Sequence, residues 1–341
     1  MSTDNRRRPV RFATIITYVA LVLFGTAFTL PFFWMVSTSL KPAARIQKFP
    51  PDIIPMRAVV VKVGGKTCEV YRQKDGSEVA VIEKIQGGAA RVKPLSGPAT
   101  PGRTISMDGL TPVIGPGCEW SNYSKGLVFI PFAAQLRNTL IISICCVIGT
   151  ILSCSLVAYG LSKIDWKGRN TLFVIVLATM MLPAQVTMIP VFTIFVRLHW
   201  INSFLPLIVP SFLGTPFFIF LLRQFFMGIP RELSEAATLD GCSEFGIYRR
   251  IVMPLSKPAL ATVGLFTFMG AWNEFLGPLI YLLDETKYTL SLGLAMFTGQ
   301  YGNEYGMLMA VSTVVTIPII VLFFFTQRTF IQGMTMSGIK G

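Results

Sequence analysis

Six long apolar runs constrain this chain more than any other feature. Phe12–Val36, Thr139–Leu161, Thr171–Val196, Phe204–Phe226, Ala259–Leu283 and Met307–Phe325 carry few or no charges, and each has about the 20 residues that a helix needs to cross a hydrocarbon layer. Within lipid only helices and closed barrels satisfy their own backbone polar groups, and these runs are too long and too continuous for barrel strands. Composition agrees, with 52% hydrophobic and 14% charged residues, against about 25% charged in soluble domains. The expectation is an all-α polytopic membrane protein with about six transmembrane helices.

The net charge of +13 reports orientation. With the N-terminus inside, the short inner segments hold Arg6, Arg7, Arg8, Arg11, Lys163, Lys167, Arg169, Arg223, Arg231, Arg249, Arg250, Lys257, Arg328 and Lys340, whereas the short outer loops hold Arg197 and Lys287. The positive-inside rule then puts both termini in the cytoplasm; the long segment Lys41–Arg137 is exempt from it. Aromatics interleaved with the basic residues for base stacking are missing, which argues against nucleic acid. The run after Arg6-Arg7-Arg8 is too long for a signal-peptide core and lacks a small-residue cleavage site, so it reads as a retained first span.

Three parts follow: 1–40, a cytoplasmic tail and first span; 41–137, an extracytoplasmic loop; and 138–341, a core of spans two to six. The middle of the loop, about 57–118, turns β-rich. Ala58–Val63, Cys68–Tyr71 and Glu78–Ile82 read as strands and Lys74-Asp75-Gly76-Ser77 as a hairpin turn. So small a module has a modest core and would rest on the membrane domain or a partner. Gly64-Gly65-Lys66-Thr67 looks like the end of a P-loop, but the Gly required five places before Gly65 is Val60; a hairpin turn is the better reading. The six cysteines include no CxxC pair. Cys145, Cys146 and Cys154 suit a span as small apolar residues, while Cys68 and Cys118 share the outer loop, where a disulfide is one option. Pro183, Pro190, Pro210, Pro216, Pro278 and Pro318 fall within spans, as kinks of a moving pathway or as packing features.

Between spans four and five lies the polar stretch Met227–Lys257. Pro230 suits a first helical turn, with Glu232 and Glu235 near its positive end. Leu233, Ala236, Ala237 and Asp240 follow at helical spacing, and Asp240-Gly241 ends the helix. Ser243 is an N-cap candidate for a second helix, Glu244–Val252, expected to stop at Met253-Pro254. The result is a helix–turn–helix with a nearly smooth surface of small residues.

Glu235-Ala236-Ala237, three residues, Gly241, nine residues, Ile251 and then Met253-Pro254 resembles the EAA loop of ABC importer permeases, with Met253 where the family usually has Leu. Other stretches resemble the smaller, six-span permease of maltose-type carbohydrate importers: Phe49-Pro50-Pro51, Asn122-Tyr123, Arg137-Asn138-Thr139-Leu140, Arg197–Asn202, Ala271-Trp272-Asn273-Glu274-Phe275 and the tail Gly333–Gly341. The resemblance spans about 10–55 and 120–341 and leaves the insert unmatched. It implies a type I ABC importer permease fold in the cytoplasmic (inner) membrane and no enzymatic activity. Loop 227–257 would be the coupling element, with Glu235, Ala236, Ala237, Asp240, Gly241, Ile251 and Pro254 docking into the ATPase. It also implies a second permease as hetero-dimer partner, an ABC ATPase dimer that holds ATP and Mg, an extracytoplasmic solute-binding protein, and no cofactor on this chain. Solute would cross by alternating access; a non-sugar solute is the alternative.

Asn273, Glu274 and Gln185 are candidates for the translocation path, and Asn303 for a further polar contact. An intramembrane carboxylate is a functional hypothesis by default, although Glu274 reads better as a hydrogen-bonded group that fixes packing beside Trp272 and Asn273. His199, the one histidine, is assigned to an outer interface with Trp200, and a lone histidine leaves metal or nucleophilic catalysis without partners. Trp34, Tyr159 and Trp166 read as interfacial anchors. A lone secondary transporter or channel predicts inverted repeats or charge rings, which are not seen, and an intramembrane enzyme lacks paired titratable groups. A membrane-anchored extracytoplasmic binding module built on the insert is the remaining rival.

Overall fold

The computed structural model describes residues 12–85, 88–95, 102–299 and 304–338. Arg6–Arg11 and Lys340, used above for orientation, Asn303, and the last three residues of the tail lie outside them. The chain divides into two compact units, Met1–Leu127 with Tyr301–Val314, and Val128–Gln300 with Val315–Gly341.

In the first unit, α1 (Phe12–Ser39) is the first span and α2 (Ala43–Ile46) a single turn. Strands β1 (Met56–Ala58), β2 (Val60–Val63), β3 (Lys66–Arg72), β4 (Glu78–Ile85), β5 (Ala89–Pro94), β6 (Arg103–Ser106), β7 (Thr111–Pro112) and β8 (Ile114–Pro116) follow. β2 to β6 form an antiparallel meander, β7 pairs with β3, and β1 with β8. The single strand expected over 58–63 is thus two. At Val59 the chain leaves β8 for β3: the Val59 N–H donates to Val113 O, and the Val59 carbonyl accepts from Val70 N–H, both at 2.8 Å. Gly64 and Gly65, both at positive φ, join β2 to β3 with Val63 opposite Lys66, the two-residue turn that only φ > 0 permits. Asp75 accepts from the Ser77 amide at 2.9 Å within the next turn, and its two bonds to Ser77 hold its carboxyl below the usual range. Val79, Val81, Ala90 and Val92 are the small buried core. Cys68 and Cys118 are both free thiols, so the disulfide option is not taken.

Helix α3 (Ser121–Phe129) ties back to the end of α1. The Asn122 amide donates to the Ser39 and Lys41 carbonyls at 2.8 and 2.9 Å, satisfying groups that a helix end leaves open. Ser39 and Tyr123 hydroxyls lie 2.7 Å apart, and the buried Lys41 ammonium sits 4.2 Å above the Trp34 ring.

The second unit is built around α4 (Phe132–Ser162). Ile141, Ile144, Ile148, Leu152 and Leu156 form an exposed stripe at helical spacing, while the buried face carries Asn138, Thr139, Ser143, Gly149, Cys154 and Ser155. Small and polar residues inside, large aliphatics outside, is the packing expected in lipid. Around it run α5 (Arg169–Ala178), α6 (Ala184–Arg197), α7 (Leu205–Ile208), α8 (Pro216–Met227), α9 (Arg231–Leu239), α10 (Glu244–Ile247), α11 (Met253–Leu255), α12 (Lys257–Asn273), α13 (Leu276–Tyr281) and α14 (Leu290–Ala295). The last helix, α15 (Tyr305–Gly338), runs through both units.

Among the described residues four helical stretches are long and apolar enough to cross a bilayer: Thr14–Ser39, Phe132–Ser162, Leu205–Met227 and Tyr305–Gln327. Two bent pairs, 169–181 with 185–197 and 244–255 with 257–273, bring the total to as many as six if each pair is one span. Several spans are less continuous than their apolar runs suggested. Span three bends by 99° between 169–181 and 185–197, where Pro183 takes an extended conformation. Span five ends as a helix at Asn273 and resumes at Leu276.

Candidate functional site

Segment 227–257 folds as a helix–turn–helix whose anchorage was not expected from the sequence. The α9 helix ends in a Schellman motif: Cys242 N–H donates to Ala237 O at 2.9 Å and Gly241 N–H to Thr238 O at 3.0 Å, with Gly241 at φ +78, where a Cβ is unfavourable. Ser243 caps α10 by accepting from Gly246 N–H at 3.2 Å. The helix does not stop at Met253-Pro254 as expected. Tyr248–Val252 widen into a π-turn and the chain stays helical to Leu255. The wider turn displaces the carbonyl that a proline ring would strike in an α-helix.

Two pairs with four-residue spacing interlock this element with α4. Tyr159 Oη donates to Glu244 Oε2 at 2.7 Å, the Ser155 and Tyr248 hydroxyls lie 2.7 Å apart, and the two tyrosine rings meet edge to face at 5.4 Å. Tyr159 is therefore buried and not an interfacial anchor. The matched spacing of 155/159 and 244/248 is the signal that was available. Beside them Lys163 Nζ donates to Ile229 O at 2.6 Å; burial, and then the positive charge of Arg231, holds that ammonium below the usual lysine range. Arg223 Nε donates to Leu161 O at 3.0 Å and its guanidinium stacks 4.1 Å from the Phe173 ring. Beneath lies an apolar core that includes Leu222, Phe226, Ile247 and Val252, against which Ala237, Cys242, Ile251 and Met253 pack.

The candidate docking residues consequently divide. Ala237 and Ile251 turn partly inward, while Glu235, Ala236, Asp240, Gly241 and Pro254 are exposed. The outer surface is not the smooth small-residue face expected: Leu239 is 89% and Phe245 62% exposed. Among the described residues neither Glu235 nor Asp240 forms an ion pair.

Asn273 and Glu274 stand together, exposed, at the break in span five. Glu274 is exposed rather than packed in, but it is hydrogen-bonded as expected: its Oε1 accepts from Gly277 N–H at 2.9 Å. Gln185 is exposed in the first turn of α6, with no hydrogen bond to Asn273 or Glu274 among the described residues. His199 is exposed at φ +57, while Trp200 turns away to stack on Phe195 at 5.5 Å. Two resembling stretches are structural ties: Asn138 donates to Thr286 O at 2.9 Å and Tyr288 O at 3.1 Å, and Asn202 Oδ1 accepts from Asp284 N–H at 3.1 Å.

Residues 146–335 match the family described as binding-protein-dependent transport system inner membrane component. The chain belongs to this family. The permease is 42% identical over 204 residues to the arabinooligosaccharides transport system permease protein of Bacillus subtilis, covering 60% of this chain and 72% of that one. It is 34% identical over 213 residues to the trehalose/maltose transport system permease protein of Thermococcus litoralis, covering 62% and 76%. A solved chain of a bacterial ABC transporter involved in import of the acidic polysaccharide alginate superposes with a TM-score of 0.65 at 22% identity, over 95% of the permease and 98% of that chain; the two share a fold. The permease is an integral membrane transport component and not an enzyme.

Proposed function

We propose that the permease forms half of the translocation path of an ATP-driven importer that brings a carbohydrate into the cytoplasm. Its hetero-dimer partner is a second permease, an extracytoplasmic binding protein supplies the solute, and two ATPase subunits carry the ATP and Mg. Residues 1–40 are the tail and first span, 41–137 the outer loop with its β-rich insert, and 138–341 the core, with both termini in the cytoplasm; the distribution of basic residues supports that orientation. The observation that carries the reading is the 227–257 element, fastened to α4 by Tyr159–Glu244 and Ser155–Tyr248 while Glu235, Ala236 and Asp240 stay exposed. Those three, with Ala237, Gly241, Ile251 and Pro254, form the coupling surface for the ATPase, and Asn273, Glu274 and Gln185 belong to the path. The named relatives carry oligosaccharides, which supports the solute class.

The test is sidedness and company. A cysteine at Ala236, in a background without the native thiols, is expected to resist membrane-impermeant maleimide in intact cells and to react in inverted vesicles. The purified complex is expected to hydrolyse ATP. Labelling from outside, or a complex without a nucleotide-hydrolysing subunit, overturns the reading. Deleting 56–119 addresses the rival: a permease keeps ATP-coupled uptake, and a binding module loses all function.

A further inference from the structure

We infer that the break in span five is a contact site for a neutral, polyhydroxylated solute, formed by Asn273, Glu274 and the backbone carbonyls freed there. The inference rests on the proposal that this chain is half of a solute path. Helix α12 runs 17 residues from Lys257 to Asn273, about 25 Å at 1.5 Å per residue, so with Lys257 at the inner boundary the break lies toward the outer edge of a hydrocarbon layer about 30 Å thick. Glu274 then turns extended, at φ −63 and ψ 122, and its N–H does not reach back to the helix. Among the described residues the carbonyls of Ala271, Trp272 and Asn273 receive no hydrogen bond from beyond the helix. The Ser291 hydroxyl, on α14, donates to the Glu274 carbonyl at 2.5 Å and holds the link open.

Backbone left open at membrane depth, next to a carboxylate, is tolerated where it faces protein or a water-filled cavity and not where it faces lipid. The chemistry offered there is rich in acceptors, with a few donors beside them. The Asn273 amide nitrogen already donates to Met269 O at 2.8 Å and Glu274 Oε1 already accepts from Gly277. What remains is Asn273 Oδ1, Glu274 Oε2 and three carbonyls as acceptors, with the second Asn273 amide hydrogen and the Glu274 N–H as donors, at a helix C-terminus whose dipole disfavours anions. A solute rich in hydroxyls, which both donate and accept, and without negative charge matches that set, whereas an acidic sugar would meet the Glu274 carboxylate.

The test uses the complete complex, with partner permease, ATPase and binding protein, in liposomes, and arabinotriose, maltose and diacetylchitobiose as probes. The readout is solute moved per ATP hydrolysed. Asn273→Ala and Glu274→Ala are expected to lower that ratio about tenfold, the scale of one lost polar contact. Glu274→Gln, which keeps an acceptor for Gly277, is expected to lower it less. A packing defect lowers uptake and hydrolysis in proportion; an unchanged ratio in both alanine variants, with the wild type active, overturns this inference alone. Wild-type uptake that requires sodium over choline, and loses that requirement in Glu274→Gln, also overturns it by assigning the break to a metal ion. A wild-type complex that moves none of the three sugars overturns the carbohydrate reading and this inference together.

Discussion

Gly293 faces the fully buried side chain of Gln135 so closely that a methyl group added to it would lie 2.6 Å from the carboxamide carbon. The missing side chain is what lets α14 seat on α4, next to the bond from Leu290 N–H to Thr139 Oγ1 at 2.9 Å. Gly293→Ala is expected to destabilise the protein by about 1–3 kcal/mol through overpacking, read as a lower midpoint of thermal unfolding in detergent. Adding Gln135→Ala should recover most of the loss; equal midpoints for the single and double variants would show that the clash is not the cause.

Tyr159→Phe removes the phenol hydroxyl that meets Glu244 and keeps the ring contact with Tyr248. Because Glu244 is exposed, the bond is worth about 1 kcal/mol, too little to unfold the chain. The expected outcome is intact assembly with less solute moved per ATP. Glu244→Gln, which retains an acceptor, should be milder than Glu244→Ala in the same assay.

At Gly241 a Cβ would have no neighbour within 4 Å, and the constraint is the φ of +78 alone. Gly241→Val is expected to cost more than Gly241→Asn, since Asn tolerates the left-handed region, with a difference of about 1 kcal/mol. Co-purification of the ATPase measures it. Equal retention by both variants would mean that the turn rearranges freely.

Asn122→Ala leaves the Ser39 and Lys41 carbonyls without their donor and is expected to cost about 1–3 kcal/mol. Greater protease sensitivity between α1 and β1 is the measurement, with Asn122→Asp as the comparison that keeps size but not the two N–H groups.

The spans were legible because lipid demands continuous apolar length, and the turns at Gly64-Gly65 and Asp75-Gly76 because their chemistry is local. The Gly241 stop and the Ser243 cap were readable for the same reason. Of the breaks inside the spans, the bend at Pro183 falls where a proline kink was one reading, whereas the one at Glu274 carried no such signal. An apolar run has the same hydropathy whether its helix continues past Glu274 or ends there, and that is decided by which carbonyl finds a donor across space. Tyr159 was misread because a tyrosine near a span end is equally suited to the lipid interface and to a buried bond with Glu244. Pro254 misled for a related reason: the rule that ends a helix before proline assumes α geometry, and the π-turn at 248–252 suspends it.

Residues 244–255 and α12 meet at 78° with Ser256 alone between them, so under the proposed function a displacement of the coupling element would reach Asn273 along one unbroken helix of 17 residues.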